Sequence, residues 1–186
     1  MIVSSGSGIL PESFVYSGPV HTGRQEEGME FTTDIFSRFN EKWALLTAGT
    51  REDYNGMTIS WGGLGTLWGK PAATVYVKPI RYTWKYMEKN SFFTVSFFPE
   101  EYRSDLMIMG SKSGREGDKT ALTRFTPVAL ENGVAFAQAE TTLVCRKMYW
   151  QDLIRENMPP EVAERIYTPE EPHRMYIGEV VEILRK

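Results

Sequence analysis

The sequence predicts a mainly β fold, a barrel or sandwich carrying accessory helices, on three observations. Short segments rich in β-branched and aromatic residues recur along the chain, bounded by Gly, Pro, Asn and Asp. Asn132-Gly133 lies between two apolar runs and is the strongest hairpin signal in the chain. Helical periodicity is confined to two or three inserted segments, without the regular strand–helix alternation of a doubly wound parallel sheet.

Taken in order, residues 1–28 contain SSGSG, two prolines and SGPVHTGRQEEG, with no periodicity. They read as an irregular arm, leaving 29–186 as a single domain. FTTDIFSRF reads as a short helix capped by Thr33 or Asp34. WALLTAG is a strand-length apolar run, GTREDYNG a charged turn, and MTISW a second strand. WGGLGTLWGKP is a glycine-rich connection to ATVYV, an alternating strand. In KPIRYTWKYMEKN, Tyr82, Tyr86 and Lys89 or Asn90 fall at helical spacing behind Pro79, which predicts a strand–loop–helix unit.

SFFTVSFF is almost continuously apolar, the pattern of a strand buried on both faces. PEEYRSDLMIMG reads as a short helix with Glu100 and Glu101 in its first turn and Gly110 at its end. The polar SKSGREGDK is a loop. RFTPVAL and VAFAQAETTLVCRKMYW supply the strands around the predicted hairpin. QDLIRENMPPEVAERIYTPEEP reads as helix and loop, and RMYIGEVVEIL as a closing strand.

Composition narrows the function classes. Aromatics reach 13%, somewhat high, which favours a binder of flat ligands or a large interface. The net charge of −3 argues against nucleic acid as a partner. Cys145 is the sole cysteine and cannot form an internal disulfide, so a reducing cytoplasm is the natural setting. No apolar run approaches the roughly 20 residues of a membrane span, and MIVSSGSGILPESF lacks the basic and apolar regions of a secretory signal.

Common site motifs are missing. Gly63-Leu64-Gly65 has no third glycine and no βαβ unit around it, so a Rossmann site is not expected. There is no P-loop, and no G-x-S-x-G elbow. His21 and His173 are far apart and, with one cysteine, give no metal-ligand spacing.

Four features stand out. NGMTISWG, from Asn55, is too polar for a core strand and too poor in Lys and Glu for a surface strand. It reads either as a turn plus a polar edge strand or as small hydroxyls and amides along a planar heterocycle, with Thr58 and Ser60 on one face. Arg81-Tyr82-Thr83 opens the helix, as a plain N-cap or as a phosphate site built from free amides, charge and hydroxyl. SKSGREGDK carries Lys112, Arg115 and Lys119, as a solvated surface loop or as a basic lid over a phosphate. His173-Arg174 precedes the last strand; a lone His beside a Pro is most often a surface residue.

In this order, NGMTISWG, KPIRYT, SGREGDK and HRMYIGEV resemble the flavin reductase-like family of FMN-binding split barrels, over residues 35–186. The resemblance implies a split β-barrel with accessory helices, assembled as a homodimer with FMN near the subunit interface. It implies that Asn55, Met57, Thr58, Ser60 and Trp61 line the isoalloxazine and ribityl chain. Arg81, Tyr82 and Thr83 would hold the phosphate, and Ser113, Arg115 and Lys119 would complete that side. His173 would lie towards the substrate face of the ring. The implied activity is hydride or electron transfer through non-covalent FMN, from NAD(P)H in a reductase. The alternative is a flavoredoxin-like carrier that passes electrons to a redox partner protein; a split barrel without flavin is a third reading. Hydride transfer needs no side-chain acid or base, so no residue is assigned as catalytic.

Overall fold

The computed structural model describes residues 31–167 and 171–186, so the expected arm at 1–28 lies outside the described residues. The first described element is α1 (Ile35–Asn40), which Asp34 caps by accepting from the Phe36 and Ser37 amides. Then follow β1 (Ala44–Gly49), β2 (Tyr54–Ile59), β3 (Gly62–Leu67), β4 (Lys70–Val77), α2 (Tyr82–Lys89) and β5 (Phe92–Phe97). The second half contains α3 (Arg103–Ser111), β6 (Pro127–Leu130), β7 (Gly133–Phe136), β8 (Thr141–Asp152), α4 (Pro160–Tyr167) and β9 (Arg174–Arg185).

Seven strands form one antiparallel sheet in the order β2-β1-β5-β8-β9-β4-β3, and β6-β7 form a separate hairpin at the predicted turn. The two edge strands, β2 and β3, are consecutive in sequence and joined by Ser60 and Trp61 alone. A two-residue link spans only about 10 Å, so the sheet curls until its edges approach, yet no ladder closes it. Register shifts in the β8–β9 pair, at Val144/Cys145 and Lys147/Tyr149, supply bends of the kind a curled sheet needs.

The concave side holds the main core, in which Leu46, Val75, Val95, Phe97, Leu143 and Tyr176 pack with Met87 of α2. A second core lies between the other face of the sheet, α3 and the β6–β7 hairpin, built from Leu45, Leu106, Met109, Phe98, Phe125 and Phe136. β5 serves both: Phe93, Val95 and Phe97 enter the first core, while Thr94 donates to Val134 O at 2.7 Å on the other face. That explains its near-continuous burial.

Three expectations are corrected. Asn55-Gly56 is not a turn but lies within β2, opposite Ala48 and Thr47. The glycine-rich connection is strand β3, joined to β4 through Trp68 and Gly69, both at positive φ (52° and 72°). Such a pair suits a two-residue hairpin turn; the glycines lowered the strand signal because they lack side chains to alternate. α3 runs through Gly110 to Ser111, since Gly110 admits close contact: a Cβ there would stand 3.2 Å from Thr58 Cβ. None of the described helices is long and apolar enough to cross a membrane.

Candidate functional site

A cleft of about 590 Å³ opens beside β2 and the link that follows it, and all twelve candidate site residues expected from the sequence line it. Its first wall is β2 and the link after it, carrying Asn55, Met57, Thr58, Ser60 and Trp61. β2 is an edge strand paired only with β1, so every second N–H and C=O along it points away from the sheet. Its second wall is the entry to α2, with Arg81, Tyr82 and Thr83. Its third is the end of α3 and the loop after it, with Ser113, Arg115 and Lys119. His173, just before β9, stands with Ile166 of α4 on the fourth.

Arg81 is the N-cap of α2, in extended conformation, and its side chain makes no capping bond. The Tyr82 and Thr83 amides have no acceptor among the described residues, as the first turn of a helix leaves them. Thr83 is inside the helix, not at its cap. Its buried hydroxyl accepts from Asn55 Nδ2 at 2.6 Å, and the same Nδ2 donates to Gly56 O at 3.3 Å. Gly114 lies against this pair, where a Cβ would come within 2.2 Å of Asn55 Oδ1.

The Thr58 hydroxyl donates to Leu106 O of α3, while Ser60, expected on the same strand face, lies just beyond the end of β2. Ser113 Oγ accepts from the Arg115 amide at 3.3 Å, shaping the loop from within. Tyr82 carries the Lys85 ammonium 3.7 Å from its ring centre, and a hydrogen bond from Lys85 holds its phenol below the usual range.

The charge of the cleft is one-sided. Lys119, expected on an exposed lid, is instead 6% exposed, with its ammonium donating to Met109 O at 2.6 Å and Lys112 O at 3.2 Å. Those carbonyls end α3, so the cation also satisfies its C-terminus. Burial, with Arg81 nearby, pushes Lys119 down to about 8. Arg81 reaches Gly110 O at 3.5 Å and Arg115 reaches Ile80 O at 3.1 Å. Among the described residues, no carboxylate lines the cleft. Just beyond the loop, burial works against the Asp105 carboxylate, but the side-chain and backbone hydrogen bonds from Arg124 (2.6–2.9 Å) hold it below its ordinary value and tie the loop to α3.

At the other end, the Trp61 and His173 rings lie 5.0 Å apart and the Tyr167 hydroxyl pairs with His173 Nδ1 at 3.0 Å. Arg174 turns away, to Asp152 (2.6 and 2.8 Å) and Glu88 (2.9 Å), and belongs to the scaffold. Sequence reasoning missed Tyr76, Lys78, Ile80 and Ile166, which line the cleft. Lys78-Pro79 immediately before the helix was the available signal for Lys78.

These residues form a cationic cleft beside an edge strand of a curled antiparallel sheet. Residues 36–186 match the flavin reductase like domain, and the chain belongs to that family. Membership places it among flavin-related oxidoreductase and electron-transfer proteins. No curated protein matches the chain in sequence. Among solved structures it is similar to flavoredoxin from Methanosarcina acetivorans, at 19% identity and TM-score 0.62, covering 86% of this chain and 76% of that one. It is also similar to an FMN-binding protein from Thermus thermophilus with bound 1-cyclohex-2-enone, at 19% identity and TM-score 0.61, covering 100% and 80%. A third is the NADH:FAD oxidoreductase of Streptomyces globisporus C-1027, at 17% identity and TM-score 0.59, covering 78% and 75%.

Proposed function

We propose that the chain binds FMN non-covalently in this cleft and acts as a flavin reductase-like oxidoreductase fed by NAD(P)H. The observation that carries the reading is the buried Lys119 ammonium beside Arg81, in a cleft lined by no carboxylate among the described residues. A buried ammonium with an exposed guanidinium nearby is unfavourable until an anion joins them. A terminal phosphate is such an anion, and the open Tyr82 and Thr83 amides suit its oxygens. The volume of about 590 Å³ falls in the usual range for cofactor sites.

When bound, flavin supplies the hydride and electron chemistry. The chain's part is to hold and orient. Arg81, Lys119 and Arg115 neutralise the phosphate, with Ser113 shaping their loop. The free edge of β2 around Met57 and Ser60 offers amides and carbonyls to a polar ring edge, and Asn55 and Thr83 brace the floor. Trp61 and His173 form the outer wall, where a second planar substrate has access. The reading takes residues 29–186 as one domain, working in the cytoplasm as a homodimer. Exposed Trp68 and Tyr149, in edge contact at 6.5 Å, favour a partner copy.

Acid release of the chromophore from purified protein, followed by chromatography, tests the cofactor. FMN as the main species is expected; FAD or riboflavin counts against the assignment. Rapid mixing with NADH and NADPH then tests the activity: bleaching of the flavin supports a reductase, and none supports a carrier serving a redox protein.

A further inference from the structure

Tyr167 ends α4 behind the outer wall of the cleft. It is 3% exposed and does not line the cleft, yet its hydroxyl stands 3.0 Å from His173 Nδ1. Its ring is held from two sides: it meets the imidazole edge-on with 5.6 Å between ring centres, and the Lys78 ammonium lies 5.6 Å from its own centre. The His173 ring is in turn 5.0 Å from Trp61.

The proton on this bond can be placed. Burial, with Tyr76 nearby, raises the Tyr167 phenol above its ordinary value, so it keeps its proton at neutral pH. A buried hydroxyl proton needs an acceptor, and His173 Nδ1 is the only hydrogen-bond partner of the Tyr167 hydroxyl among the described residues. Tyr167 therefore donates, Nδ1 accepts, and the neutral imidazole carries its proton on Nε2. With Nδ1 turned to the wall, Nε2 is the nitrogen on the cleft side of the ring. Giving up that proton with Tyr167 following would leave a buried phenolate, which burial opposes. The pair holds a donor in place and does not relay a proton.

We propose that Tyr167 is a positioning residue that fixes His173 as an Nε2–H donor, and that this donor makes the outer end of the cleft select planar ligands bearing a carbonyl oxygen. The choice of ligand rests on the flavin reading above, which supplies the flat surface beside Trp61; the tautomer stands on the geometry alone. An imidazole with its proton on Nδ1 would offer a lone pair there and repel the same oxygen, so the tautomer decides the sign of the contact.

Two measurements test the two halves. His21 is the only other histidine in the chain, so nitrogen-15 NMR of the His21→Gln chain reads His173 alone. At pH 8, above the ordinary histidine value of about 6.5, Nδ1 should be bare and Nε2 protonated, and Tyr167→Phe should give a mixture of the two tautomers. A protonated Nδ1 beside Tyr167, or a spectrum unchanged in Tyr167→Phe, overturns the positioning role. The oxidised, FMN-loaded protein is then titrated with acetophenone and with α-methylstyrene, in which a methylene replaces the carbonyl oxygen, and the flavin absorbance is followed. Acetophenone is expected to bind about three- to tenfold more tightly. That preference should vanish in Tyr167→Phe while FMN affinity stays as it was. Equal affinities, no binding of either compound, or a preference that survives in Tyr167→Phe overturns the ligand half. A chain that takes up no FMN overturns the flavin reading and the ligand half with it, while the nitrogen spectrum still decides the tautomer.

Discussion

Asn55 of β2 donates to the Thr83 hydroxyl of α2 at 2.6 Å, both side chains buried, although 28 residues separate them. Gly114 presses on the same amide from the loop after α3. Edge strand, helix entry and cationic loop therefore meet at one side-chain hydrogen bond. The bond sets how far the strand edge stands from the helix amides, and so the width of the cleft.

Thr83→Val keeps the volume and removes the acceptor. The buried Asn55 amide then retains only Gly56 O, a loss of about 1–3 kcal/mol in stability. Because the bond positions the floor and does not itself seek phosphate, FMN and riboflavin affinities should weaken together. Urea unfolding with an unchanged slope and a lower midpoint, alongside fluorescence titrations with the two flavins, measures both effects. A loss confined to FMN would mean that Thr83 touches the phosphate instead.

Gly114→Ala tests the same junction by steric means. The new methyl would stand 2.2 Å from Asn55 Oδ1 and 2.7 Å from Tyr82 Cδ1, so the loop must move away. Overpacking of this kind costs about 1–3 kcal/mol, and the displaced loop carries Arg115 with it. A melting temperature and flavin affinities equal to the wild type would show that the loop yields freely.

Much of this was legible in the sequence because the signals were local. The switch of period at Tyr82–Lys89 gave α2, and Asn132-Gly133 gave the β6–β7 hairpin. The polar character of NGMTISWG marked an edge strand facing a cleft. What stayed hidden was long-range. Nothing local says that the Thr58 hydroxyl is taken by Leu106 O, 48 residues away, or that Lys119 is buried against the end of α3. A Gly-Arg-Glu-Gly-Asp-Lys loop reads as solvated because its charges are visible and its packing partners are not. β3 was missed because Gly62, Gly63 and Gly65 offer no side-chain alternation; its pairing with β4 reveals it.

Arg81→Ala isolates the phosphate contact. Arg81 caps nothing with its side chain and is exposed, so its removal should leave the fold intact. If it holds the flavin phosphate, the loss is one charge-assisted hydrogen bond of about 1.5–3 kcal/mol. FMN affinity then falls about ten- to more than hundredfold, while riboflavin, which lacks the phosphate, is held as before. Parallel losses for the two flavins would place the effect in the scaffold.

Lys119 makes the same contact depend on pH, in a direction that can be worked out. In the flavin-free fold, burial, with Arg81 nearby, lowers its pKa to about 8 from the ordinary lysine value of 10.5. The folded value lies below the unfolded one, so between roughly pH 8 and 10.5 the unfolded chain binds more protons. Stability of the flavin-free protein should therefore rise with pH across that window. Flavin binding should run the other way. A phosphate dianion stabilises the ammonium, so above about pH 8 binding takes up a proton, and FMN affinity falls by at most about tenfold per pH unit. Riboflavin should lack this dependence, and so should FMN in Lys119→Met. Titrations with both flavins between pH 7 and 9.5 measure the slopes, and thermal melts of the flavin-free protein give the stability trend. An FMN affinity that is flat across this range in the wild type would mean that Lys119 serves only to close the end of α3.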